Sequence, residues 1–147
     1  MKYNCENVSV VLVVYRRPVH TQRVLTAIRE SNIKNLAIYM DAPSCNEVRE
    51  RQDELVKVIR NIDWADCRFI RRKEQLRLAK SIVSAVTEEL QKYEQIILLE
   101  DDCVPQKCFF EFMFSSLEKY KEDKKVRSVC GYQLPIADFR SNSVDGV

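Results

Sequence analysis

Apolar positions along this chain fall into two kinds of run that alternate with one another. Val8, Val10, Val11, Leu12, Val13 and Val14 form a run of strand length, and its unbroken hydrophobicity predicts a strand covered on both faces. The run ends at Tyr15-Arg16-Arg17-Pro18, and Pro18 opens a predicted helix to about Ser31 with Val24, Leu25 and Ile28 on one face. Residues 36–40 predict a second strand, stopped by Asp41-Ala42-Pro43. Asn46 is a candidate cap for a second helix, in which Val48, Leu55 and Ile59 recur at helical spacing among charges. A third strand is expected at residues 67–70, followed by Arg71-Arg72-Lys73 and a helix over 76–93 with Leu78, Ile82, Ala85, Val86 and Leu90 inward. Residues 96–99 predict a fourth strand that leads into Glu100-Asp101-Asp102. After Pro105 the aromatic-rich stretch from Phe109 to Tyr120 reads as a core helix, and residues 126–130 as a fifth strand.

Strands alternating with helices of this length predict an α/β fold: a Rossmann-like βα sandwich around a mostly parallel sheet. One domain over residues 1–137 is expected, with 138–147 as a flexible tail that has no apolar period. The 147 residues are 46% hydrophobic and 31% charged, enough for a real core.

Charge and composition then narrow the chemistry. The net charge of +2 carries no basic excess, so no nucleic-acid partner is expected. The two glycines, Gly131 and Gly146, stand late in the chain, which excludes a Gly-rich dinucleotide turn and a P-loop, because both need glycine to bring backbone amides against phosphate. The single His20 opens a helix and is not assigned a catalytic role. The six cysteines include no Cys-x-x-Cys pair, so no thioredoxin-type or zinc motif is present, and reduced thiols are expected. The longest apolar stretch is far short of the roughly 20 residues that cross a bilayer, so no transmembrane segment is expected. No signal peptide is read either, and with reduced thiols this favours a cytoplasmic location.

In a parallel α/β sheet, ligands gather beyond the carboxyl ends of the strands. That rim should carry Arg16 and Arg17 after strand one, Asp41 after strand two, Arg71, Arg72 and Lys73 after strand three, and Glu100, Asp101 and Asp102 after strand four. Hard carboxylate donors beside cationic loops suit a metal-bridged diphosphate, since oxygen ligands hold Mg²⁺ or Mn²⁺ and arginine bonds phosphate. The bland alternative is that these are ordinary polar strand ends, with Asp102 favouring a helix N-terminus and Asp41-Ala-Pro forming a plain turn.

The succession Val-Ser-Val-Val-Leu-Val-Val-Tyr-Arg-Arg-Pro, Ile-Tyr-Met-Asp41, Arg-Arg-Lys-Glu-Gln-Leu-Arg-Leu-Ala-Lys-Ser-Ile and Ile-Ile-Leu-Leu-Glu-Asp-Asp-Cys-Val-Pro resembles the nucleotide-sugar-binding half of a GT-A glycosyltransferase. It is most similar to the family-two-like and N-acetylglucosaminyltransferase-I-like branch, over residues 8 to about 134. The resemblance implies that Glu100-Asp101-Asp102 replaces the metal-binding Asp-x-Asp element, with Asp102 and Glu100 toward Mn²⁺ or Mg²⁺ and Asp101 near the donor ribose or sugar. It also implies that Asp41 contacts the base or ribose, that Arg16 or Arg17 lines the nucleotide pocket, and that Arg72 and Lys80 lie near the donor. Where relatives read Asn-x-Gly before Leu-Ala, this chain has Gln75-Leu76-Arg77, so a bulky cation takes the place of a glycine turn.

The expected function is therefore metal-dependent, inverting sugar transfer from a UDP- or GDP-sugar. The general base is expected in an acceptor-binding half outside this chain, which reads as a fragment of a longer enzyme. A non-catalytic nucleotide- or partner-binding remnant of the same fold is the alternative. A phosphoryl-accepting receiver domain ranks below both, because Arg16-Arg17 and Arg71-Arg72 stand where its carboxylates would be.

Overall fold

The computed structural model describes residues 7–132, so the 138–147 tail and the expected domain limit at residue 137 lie outside the described residues. The elements follow in chain order as β1 (Val8–Val14), α1 (Pro18–Glu30), β2 (Asn35–Met40), α2 (Asn46–Arg60), β3 (Asp66–Arg71), α3 (Arg77–Leu90), β4 (Gln95–Glu100) and α4 (Phe109–Lys119). The strands form one four-stranded sheet in the order β3-β2-β1-β4. Every pairing is parallel, with Leu12 opposite both Ile38 and Leu99. The α/β fold with a parallel sheet, consistent with a Rossmann-like arrangement, is therefore present.

β1 is buried at all of its positions because it is flanked by strands on both sides and by helices on both faces. Its even-numbered residues Val8, Val10, Leu12 and Val14 join the larger core, built with Leu36, Ile38 and Met40 of β2 and the apolar stripes of α1, α2 and α4. Its odd-numbered Val11 and Val13 join the smaller core, with Ala37, Tyr39, Ala85 and the flanking Ile82. Among the described residues α3 is the one helix contributing to that second face. A period of two along each strand thus sorts side chains between three helices and one.

Local signals explain the helix starts and stops. Pro18 stands at the first turn of α1, where its missing N–H costs nothing. The chain leaves α1 through Asn32 in the left-handed region at φ 55°, a conformation asparagine tolerates. Asn46 is the first residue of α2 and not its cap; Cys45 holds the cap position without a side-chain hydrogen bond.

Two further expectations fail. Residues 126–130 form no strand. Val126 N–H donates back to Asp123 in a turn at 3.0 Å, and the following Gly131 lies so close to α4 that a Cβ there would meet the Phe109 ring at 2.4 Å. Among the described residues the segment has no ladder partner. On α3, Leu78 and Leu90 are exposed, while Ser81, Ala85 and Glu89 are the buried residues. The inward face of this helix combines the apolar Ala85 and Ile82 with Glu89, which is paired with Arg68. Among the described residues no helix is long and apolar enough to cross a membrane.

Candidate functional site

The chain runs outward from β1 to β2 and β3, then returns to place β4 on the opposite side of β1. β1 and β4 are therefore neighbours where the strand order reverses, and α/β sheets take ligands in the crevice at the carboxyl ends of such strands; here α1 and α4 both pack on the larger-core face, so the loops after β1 and β4 run to the same side. Tyr15, Arg16 and Arg17 follow β1 at that edge of the sheet, and Asp101 and Asp102 follow β4.

Those loops are tied together. The Tyr15 amide donates to Asp101 Oδ2 at 3.3 Å, and Arg17 Nη1 reaches Asp101 Oδ1 at 3.4 Å while also donating to Asp102 Oδ2. Asp101 is buried, whereas the side chains of Arg17 and Asp102 are about half exposed. Burial pushes the Asp101 carboxyl up, against the Tyr15 amide and the Arg17 charge. The hydrogen bond from Arg17 holds Asp102 below the usual carboxylate range, and the same bond raises Arg17. Adjacent carboxylates thus divide the work: Asp101 fixes the loop and Asp102 faces outward. The Cys103 thiol approaches Asp102 Oδ1 at 3.6 Å.

Asp41 closes a second junction. It is buried, and its Oδ1 accepts from the amides of Ala42 at 3.0 Å and Leu76 at 2.8 Å, while Oδ2 accepts from the Arg77 amide at 2.8 Å. α3 has no side-chain cap of its own, so the β2 loop supplies the acceptor that its first turn needs. Arg77 stands there at φ 64°, the left-handed region that favours glycine. Gln52 Nε2 donates to the Asp41 carbonyl at 2.9 Å and steadies the same turn from α2.

Neither a comparison with protein-family models nor one with curated proteins finds a match to this chain.

The residues expected at the rim separate into groups. Arg17, Asp101 and Asp102 come together directly. Arg16 and Lys80 are exposed, and Glu100 is half-buried at the end of β4. Arg72 turns back over the sheet: its Nη2 donates to Ser84 Oγ at 2.9 Å and Glu88 Oε1 at 2.6 Å, and its guanidinium stacks 5.0 Å from the Tyr39 ring centre. Tyr15 was not among the expected site residues. Its hydroxyl donates to Ser44 Oγ at 3.0 Å and accepts from Gln75 Nε2 at 3.1 Å, joining the loops after β1, β2 and β3. The signal in sequence was its place at the end of the β1 run, where an aromatic with a polar tip leaves the core.

Among the described residues no three carboxylate, imidazole or thiol groups converge as a metal cage. A Mg²⁺ or Mn²⁺ carried on a diphosphate needs one or two protein carboxylates, with phosphate and water oxygens completing its shell. The outward carboxylate of Asp102 fits an ion that arrives with a diphosphate. It does not fit one held by protein alone.

Proposed function

We propose that this chain is a nucleotide-sugar-binding unit of a metal-dependent glycosyltransferase, taking a UDP- or GDP-sugar in the crevice between β1 and β4. The observation that carries the reading is the meeting of Arg17, Asp101 and Asp102 at that crevice, a guanidinium and an outward carboxylate held by a buried one. The likeness of the four motifs to the donor half of GT-A enzymes supports it from the side of the sequence.

Asp102, with Glu100 beside it, would hold Mn²⁺ or Mg²⁺. The ion's contribution there is to neutralise charge on the departing diphosphate. Arg17 and the exposed Arg16 supply hydrogen bonds to phosphate oxygens, for which the guanidinium fork is suited. Asp101 keeps the β4 loop against Tyr15, and Asp41 fixes the turn that begins α3, so the crevice wall is formed before a donor arrives. Lys80 adds positive charge on the exposed side of α3.

Calorimetry with UDP- and GDP-sugars, with and without Mn²⁺, tests the reading. Metal-dependent binding that Asp102→Ala abolishes is expected; equal binding by both proteins removes Asp102 from the role. A second reading, a non-catalytic remnant that binds nucleotide without turnover, is favoured by Arg77, whose long side chain stands at a glycine-type backbone position beside the site. Donor hydrolysis or sugar transfer by the 147-residue chain excludes it.

A further inference from the structure

The two edges of the sheet are built differently. β3, at one edge, carries Asp66, Arg68 and Arg71, the kind of charge that blunts an exposed strand. β4, at the other, reads Ile96-Ile97-Leu98-Leu99 between Gln95 and Glu100, and among the described residues no strand lies beyond it. Ile97 and Leu99 are buried in the larger core, while Ile96 and Leu98 on the second face are half-buried. α3 continues this surface. Its Ser84 and Glu88 bond Arg72, which follows β3 and lies over Tyr39 of β2, so that flank of the helix faces β2 and β3. By helical period the opposite flank, toward β4, carries Ile82, Val83, Val86 and Leu90, of which Val83 is 65% and Leu90 49% exposed. A bare sheet edge and an apolar helix flank thus form one strip, of the sort that marks a contact surface.

A further parallel strand of the same chain does not fit at that edge. α1 and α2 lie on the larger-core face and carry the chain from β1 toward β3. α4 lies on the same face, so a right-handed crossover from β4 leads back toward β1, whose two edges are already paired. We infer that the β4 edges of two copies of this chain pair antiparallel about a two-fold axis normal to the sheet. Such an axis keeps each face of the sheet on its own side and makes the contact self-complementary. Strands lie about 4.8 Å apart, so α3, packed over β1 and β4, stands about 5 Å from the axis; the two α3 helices are then about 10 Å apart, the distance at which helices pack. Centred on Ile97, the pairing sets Ile96 beside Leu98 of the second copy. The same register brings Asp102 level with Lys92 of the second copy, and Glu100 level with its Glu94, a carboxylate that Lys121 already pairs at 3.3 Å. The acidic end of each β4 meets the lysine-bearing end of the other, whereas a parallel pairing would align like ends. The pairing stands whether or not the crevice takes a nucleotide.

The test is sedimentation equilibrium of the 147-residue chain from about 1 to 100 µM. A reversible dimer is expected. Val83→Glu and Leu90→Glu, which place charge at exposed helix positions, should each weaken association roughly tenfold. Val19→Glu, at an exposed position of α1 on the other face, should leave it unchanged. Lys92→Glu should weaken it and Lys92→Glu/Asp102→Lys restore it; an unchanged dimer in Lys92→Glu overturns the register. Hydrogen exchange at the β4 amides is expected to slow as the dimer forms. Thermal melts verify folding, and exchange in the wild type carries the test if a variant does not fold. A monomer at every concentration overturns the inference, and slow β4 exchange in that monomer assigns the edge to residues 133–147 instead. A dimer that neither Val83→Glu nor Leu90→Glu weakens, or whose formation leaves β4 exchange unchanged, overturns the interface.

Discussion

Glu89 is fully buried on α3, beneath the second face of the sheet, and is the most heavily bonded carboxylate in the described chain. Arg68 donates to it through both Nη1 at 2.7 Å and Nη2 at 2.6 Å, Tyr39 through its hydroxyl at 2.8 Å and Ser9 at 2.9 Å. Burial alone would raise this carboxyl, but the bonds from Arg68, Tyr39 and Ser9 outweigh it and hold it at about 2, against an ordinary 4.5. At about 1.4 kcal/mol per pH unit, that gap corresponds to about 3 kcal/mol of folding free energy. Because the folded value lies below the unfolded one, this contribution is complete above about pH 4.5 and is lost as pH falls through about 2. A domain is stable by only about 5–15 kcal/mol, so the loss is visible. Urea unfolding followed by circular dichroism at pH 7, 4.5, 3 and 2 is the assay. Glu89→Gln is expected to cost about 3 kcal/mol at pH 7, with the gap to wild type closing toward pH 2. A gap that stays constant with pH, or lies below about 0.5 kcal/mol at neutral pH, refutes the reasoning. The double variant Arg68→Met/Glu89→Leu should recover only part of the loss, because both charge-desolvation costs disappear together while the buried Tyr39 and Ser9 hydroxyls lose their acceptor.

Arg77→Gly should stabilise the chain, since the left-handed backbone costs an L-residue about 1–2 kcal/mol and glycine's added chain entropy returns only part of that. A rise in melting temperature of about 2–4 °C is expected, and a fall contradicts the φ 64° conformation at this position. Asp41→Ala leaves the amides of Leu76 and Arg77 without their acceptor and should cost about 3 kcal/mol, with faster hydrogen exchange in the first turn of α3. Unchanged exchange there argues against the cross-loop cap. Tyr15→Phe removes partly exposed bonds to Ser44 and Gln75, so stability should change by less than about 1 kcal/mol while exchange at the rim loops accelerates.

The strands and the rim were legible because they depend on local pattern. The unbroken run of β1 announces a strand with both faces covered, and the residues just after each strand must gather at one edge of a parallel sheet. The rotation of α3 was not legible, because counting apolar residues favours Leu78 and Leu90, whereas the partner that draws Glu89 inward is Arg68 on β3. Asp41 was visible as a rim residue, but its three amide partners include two from a loop 35 and 36 residues away. Residues 126–130 have β-branched valines that suit a strand, yet a strand exists only where a neighbour offers a ladder, and Gly131 instead meets Phe109.

An apolar helix face can slip along a sheet by a turn at modest cost, because one methyl contact replaces another. A carboxylate forked on a guanidinium cannot, since the next turn brings no second Arg68. The Glu89 fork therefore acts as a datum for α3, and with a rise of about 1.5 Å per residue it sets the helix's opposite end, at Arg77, from about 18 Å away. The turn that meets Asp41 takes its position along the sheet from a contact at the far end of the helix. Loosening that fork should blur the rim without touching a single residue in it.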